Sequence, residues 1–89
     1  MFNVTDAAAA RCAQKLDELR AHDDECFRLS LDSGKPALKR SRPEAGETIF
    51  KHADRIVLAI SPAVSESLVG RTLACRRTPG GPRLRLKRA

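Results

Sequence analysis

One stretch constrains everything else in this chain: Glu47 to Arg77, ETIFKHADRIVLAISPAVSESLVGRTLACRR. Its centre is the longest apolar run, Ile56-Val57-Leu58-Ala59-Ile60, which stops at Ser61-Pro62. A serine oxygen accepts from the first turn of a helix, and proline at the first helical position gives up an N–H that has no partner there in any case. A strand therefore feeds directly into a short helix. Gly70, after Leu68 and Val69, supplies the positive φ that ends the helix, and Thr72-Leu73-Ala74-Cys75 resumes a strand pattern. Upstream, Thr48-Ile49-Phe50 is joined to the apolar run through His52-Ala53-Asp54, a spacing that fits an antiparallel hairpin.

The flanking segments follow from the same rules. Phe2-Asn3-Val4 reads as a short strand, and Thr5-Asp6 opens a helix with a hydroxyl cap and a carboxylate in the first turn. That helix is expected to run to about Ala21, with Ala9, Cys12, Ala13, Leu16 and Leu19 forming its apolar stripe and Val4 packing on Ala9 as a weak staple. His22-Asp23-Asp24-Glu25 reads as a solvated loop; consecutive residues of a loop do not converge on a metal without a shaped turn. Phe27, Leu29 and Leu31 alternate with Arg28 and Ser30, the mark of a strand with one dry face. From Lys35 to Arg42 the pattern fades into an edge strand or mobile loop, Pro43 to Gly46 turns, and Thr78-Pro79-Gly80-Gly81-Pro82 connects to a last strand around Leu84 and Leu86. The expectation is an α+β fold of one domain, residues 1 to 89, with six to seven short strands, one long N-terminal helix and one short helix.

At 89 residues the chain buries somewhat over roughly 60% of its unfolded surface, so the core is thin, and with only Phe2, Phe27 and Phe50 as aromatics it is expected to be aliphatic. Cys12, Cys26 and Cys75 are an odd number without CxxC spacing, which argues against a disulfide framework or a zinc knuckle and for small buried hydrophobes in a reducing compartment. Asp6 and Arg11 bracket the four alanines, so neither a signal peptide nor a membrane span is expected. A cytoplasmic location is expected. Charge is uneven: residues 1 to 34 hold four Lys/Arg against seven Asp/Glu, and residues 35 to 89 hold thirteen against four.

The order of elements resembles a known family. FNVTDAAAARCAQKLDEL is similar to the start of the HesB-like, A-type iron–sulfur cluster assembly proteins, with their short strand, Thr/Ser cap and alanine-rich helix. CFRLSLDSG resembles their second strand and glycine turn, PEAGETIFKHADRIVLAISPAVSESLVGRTLACRR their central region, and PRLRL their last strand. The resemblance implies a HesB-like domain across nearly the whole chain. It also implies three cysteine ligands for metal or cluster, and none can be carried over. The first belongs to a Gly-Cys-Ser-Gly type turn, where this sequence reads Ser33-Gly34-Lys35-Pro36; the other two form a Cys-Gly-Cys segment beyond the last strand, where it reads Lys87-Arg88-Ala89. Cations replace soft iron ligands.

Little catalytic chemistry is legible. Ser61, Ser65 and Ser67 read as cap and exposed helix positions, and neither His22 nor His52 has a nucleophile in evident reach. Pro79-Gly80-Gly81-Pro82 leads into a strand instead of a helix N-terminus, so it is no phosphate cradle. An enzyme is not expected. The remaining candidate is a basic surface of Lys35, Lys39, Arg40, Arg42, Arg71, Arg76, Arg77, Arg83, Arg85, Lys87 and Arg88, with Arg83, Arg85 and Lys87 on one face of the final strand by period two. Such a stripe suits an acidic protein partner or a polyanion, and without stacking aromatics any nucleic-acid contact would be electrostatic and nonspecific. The expected role is a noncatalytic accessory module of the HesB-like type that needs no cofactor and has no membrane partner, self-association remaining open. The alternatives are an iron or iron–sulfur cluster carrier using Cys12, Cys26 or Cys75 in a dimer, and a basic nucleic-acid-associated protein.

Overall fold

A computed structural model describes residues 2–33 and 35–88. Nine elements follow in order: β1 (Asn3–Val4), α1 (Asp6–Glu18), β2 (Cys26–Asp32), β3 (Lys35–Ser41), β4 (Thr48–His52), β5 (Arg55–Ile60), α2 (Pro62–Ser67), β6 (Arg71–Thr78) and β7 (Gly81–Arg88). The α+β architecture with a long first helix and a short second one is as expected.

Local chemistry places the helix starts. The Thr5 hydroxyl accepts from the Ala8 N–H at 3.1 Å, and the Ser61 hydroxyl accepts from the Val64 N–H at 3.3 Å with Pro62 beside it. Gly70 has φ +78°, as required of a residue that ends α2 and turns the chain into β6. The β4–β5 hairpin closes without glycine: Ala53 and Asp54 both adopt positive φ, 49° and 68°, the handedness that a two-residue turn needs.

The strands form two sheets, ordered β1-β6-β7 and β3-β2-β5-β4. The segment read as strand, helix, strand is thereby divided. β5 lies inside the four-stranded sheet, parallel to β2, whereas β6 lies inside the three-stranded sheet, parallel to β1 and antiparallel to β7, so α2 is the link between sheets. Val57 to Ile60 are all buried, since a central strand covered on both faces needs an unbroken apolar run. Helix α1 packs against β4, β5, β6 and β7 and sets Ala8, Ala9, Cys12 and Leu16 into the core.

Several expectations require correction. Helix α1 stops at Glu18, not Ala21, because Arg20 takes a left-handed φ of 53°; Leu19 is consequently 49% exposed and does not join the stripe. Of the edge strand or loop read from Lys35 to Arg42, the edge strand is found: residues 35 to 41 pair with β2 from Cys26↔Ser41 to Asp32↔Lys35 at the end of the four-stranded sheet. The core is not wholly aliphatic: Phe2 and Phe27 are buried, and Phe2 meets Phe50 edge to face at 5.8 Å, joining the segment leading into β1 to the other sheet. Among the described residues no helix is long and apolar enough to cross a membrane.

Candidate functional site

The candidate cations separate into two groups. Arg40 and Arg42, at the end of β3 and just beyond it, spend their charge internally. Arg40 donates to both Glu25 oxygens at 2.7 and 2.9 Å, and Arg42 donates from Nε to Asp24 at 2.8 Å. The loop read as solvated, with Asp23 and Asp24 exposed, ends in a buried carboxylate: Glu25 also accepts from the His22 N–H at 2.9 Å, and the Arg40 guanidinium together with that N–H holds its pKa down at about 2. Arg42 likewise lowers Asp24. Behind them, Arg28 on β2 makes a bidentate pair with Glu47 at 2.8 and 3.0 Å and reaches the Ser41 hydroxyl and the Arg42 carbonyl. Sequence reading missed this bracket; the signal available was an arginine in mid-strand opposite an acidic turn. Lys39 is exposed, and the side chain of Lys35 lies outside the described residues, as do Gly34 and Ala89.

The second group is on the β6–β7 hairpin. The register sets Arg76 opposite Arg83, Ala74 opposite Arg85 and Thr72 opposite Lys87. Directly opposed residues share a sheet face, so Arg76, Arg83, Arg85 and Lys87 are displayed together, all exposed. The other face carries Leu73, Cys75, Leu84 and Leu86 toward the core, with Arg71, Arg77 and Arg88 at its ends. Residues 71 to 88 hold seven cations and no carboxylate. The ion pairs among the described residues involve Arg11, Arg28, Arg40, Arg42 and Arg55, none of them on this hairpin.

Along the first half of β7 lies a cleft of about 540 Å³ between the hairpin, α1 and the β2–β3 pair. Phe27, Leu29, Leu38, Leu73 and Leu84 supply apolar lining, Arg11, Lys15, Arg83 and Arg85 contribute cationic residues, and no Asp or Glu lines it.

The thiols are elsewhere. Cys12 on α1 and Cys26 on β2 are fully buried, and Cys75 on β6 is half-buried. Burial, reinforced by the neighbouring Cys75, pushes the Cys12 thiol up to about 11; burial also raises Cys26. Among the described residues no three His, Cys, Asp or Glu side chains are grouped to hold a metal ion.

No protein-family model and no curated protein matches this sequence. Several solved chains match its fold, SufA and IscA among them. Escherichia coli SufA, involved in biosynthesis of iron–sulfur clusters, is similar with a TM-score of 0.76 at 16% identity, covering 98% of this chain and 84% of SufA. IscA with its [2Fe-2S] cluster is similar with a TM-score of 0.57 at 16% identity, covering 99% and 85%. The fold is that of SufA and IscA, in keeping with the HesB-like resemblance.

Proposed function

Starting from that shared fold, we propose that this chain is a noncatalytic, iron–sulfur-assembly-related module that has lost the cluster ligands and works by binding an acidic partner through the β6–β7 hairpin. The observation that carries the reading is the concentration of seven cations in residues 71 to 88, with no carboxylate in that segment and no ion pair on it among the described residues. Cations held to no internal partner are free to meet an external one.

The residues present do not fit a cluster. Iron and sulfide are held by thiolates, and a thiol pushed up to about 11 is protonated at neutral pH. Cys12 and Cys26 face the interior from a helix and from a strand of the four-stranded sheet, while Cys75 belongs to the other sheet. Where the family resemblance calls for its first cysteine, the described residues are Ser33 and, after the turn, a strand that begins Lys35-Pro36.

Anaerobic reconstitution with ferrous iron and sulfide, followed by visible absorption, tests this directly. The expected result is a colourless protein. A brown product that bleaches when Cys12, Cys26 or Cys75 is changed to serine would overturn it and establish the carrier reading.

A further inference from the structure

Strand β7 ends the order β1-β6-β7 and β3 ends the order β3-β2-β5-β4, so each sheet leaves an open edge, and residues of both strands line the same cleft. In an antiparallel pair, alternate residues turn their N–H and C=O groups toward the partner; the remainder of β7 directs its groups away from β6. Pro82, near the hairpin turn, is the strand's only residue without an N–H. Resting on the binding reading above, we propose that the open edge of β7 accepts an extended acidic segment of another protein as an added strand. The segment's apolar side chains enter the cleft and its carboxylates meet Arg83, Arg85 and Lys87.

Period two dictates that side-chain pattern. A residue set beside Leu84 shares its face and meets the apolar lining from Phe27, Leu29 and Leu38; one set beside Arg83, Arg85 or Lys87 shares the cationic face. The cleft's 540 Å³ lies within the usual range for a ligand site. Charge selects the occupant. A second copy pairing through β7 would bring cationic strand against cationic strand, the arrangement that edge strands use to prevent self-pairing. An acidic strand converts the same arrangement into attraction and supplies main-chain hydrogen bonds as well.

The test is fluorescence anisotropy of the full chain with an end-capped, fluorescein-labelled peptide alternating Glu and Val. Saturable binding is expected, about tenfold tighter than for a peptide of the same composition arranged in two blocks. N-methylation of alternate amides along one edge of the peptide should abolish binding, and along the other edge should leave it intact. R85E should weaken binding about tenfold, whereas K51E, the same charge change on β4, should not. Circular dichroism confirms that both variants are folded. Equal binding of the block peptide, indifference to N-methylation, full competition by random duplex DNA, displacement by a second copy at rising concentration, or no binding at all would each overturn the proposal. Iron and sulfide reconstitution on the same preparation separates the two readings: a colourless chain that ignores the peptide sinks this inference alone, and a cluster-loaded chain sinks the reading beneath it.

Discussion

Glu25 shows how much a single side chain gains from its surroundings. Its carboxylate is buried, bidentate with Arg40 and bonded to the His22 N–H, and it titrates at about 2 instead of the ordinary 4.5. A carboxylate with a depressed folded-state pKa contributes stability that is fully present above about 4.5 and disappears as the pH falls through about 2. Glu25→Gln should therefore have a lower urea midpoint than the parent at pH 7, and the two midpoints should converge as the pH is lowered through that window; parallel curves would mean the ion pair contributes nothing. Thiol reactivity supplies a second measurement at this scale. With Cys12 buried and pushed up to about 11 and Cys26 raised by burial, both should resist iodoacetamide at pH 8 in the native state and react once urea unfolds the chain. Mass spectrometry of the tryptic peptides reads this out.

Elements succeed here through their ends as much as their middles. Ser61→Ala removes the acceptor for the Val64 N–H and should cost about 1 kcal/mol in chemical denaturation. Leu58, fully buried in β5, should cost about 2–5 kcal/mol when cut to alanine, because neighbours on both faces of the strand hold the cavity open. On the hairpin, Arg76 and Arg83 oppose each other as like charges. Arg76→Glu should stabilise the fold by about 0.2–1 kcal/mol in a thermal melt, since the cross-strand pair becomes attractive. These three changes test capping, packing and charge on separate parts of the molecule.

Across the whole molecule the charge asymmetry resolves into two halves with different fates. Arg40, Arg42 and Arg55 pair with Glu25, Asp24 and Asp17, so the acidic N-terminal part neutralises the middle of the chain. The cations of β6 and β7 carry the excess that gives the net charge of +6. Binding of an acidic partner to that hairpin should weaken steeply with salt, because exposed charges are screened within about 8 Å at physiological ionic strength. If random duplex DNA bound instead through Arg83, Arg85 and Lys87, the log–log salt slope would approach about −2.7, one step of about 0.9 for each phosphate neutralised.

What the sequence determined by itself was whatever neighbouring residues decide between them. The caps at Thr5 and Ser61, the stop at Gly70, the alternation of Phe27, Leu29 and Leu31, and the shared face of Arg83, Arg85 and Lys87 all depend on hydrogen bonds or periodicities a few residues long. The tertiary structure alone decided that β5 and β6 part into different sheets, that Leu19 faces solvent, that Glu25 is buried under Arg40, and that Arg40 and Arg42 are occupied while the hairpin's cations are not. Leu19 follows from the left-handed backbone of Arg20 beside it, and the other outcomes join residues far apart in the chain. Such partners are chosen when the core closes, by which apolar faces and which opposite charges reach each other first in space, and no local pattern encodes that choice.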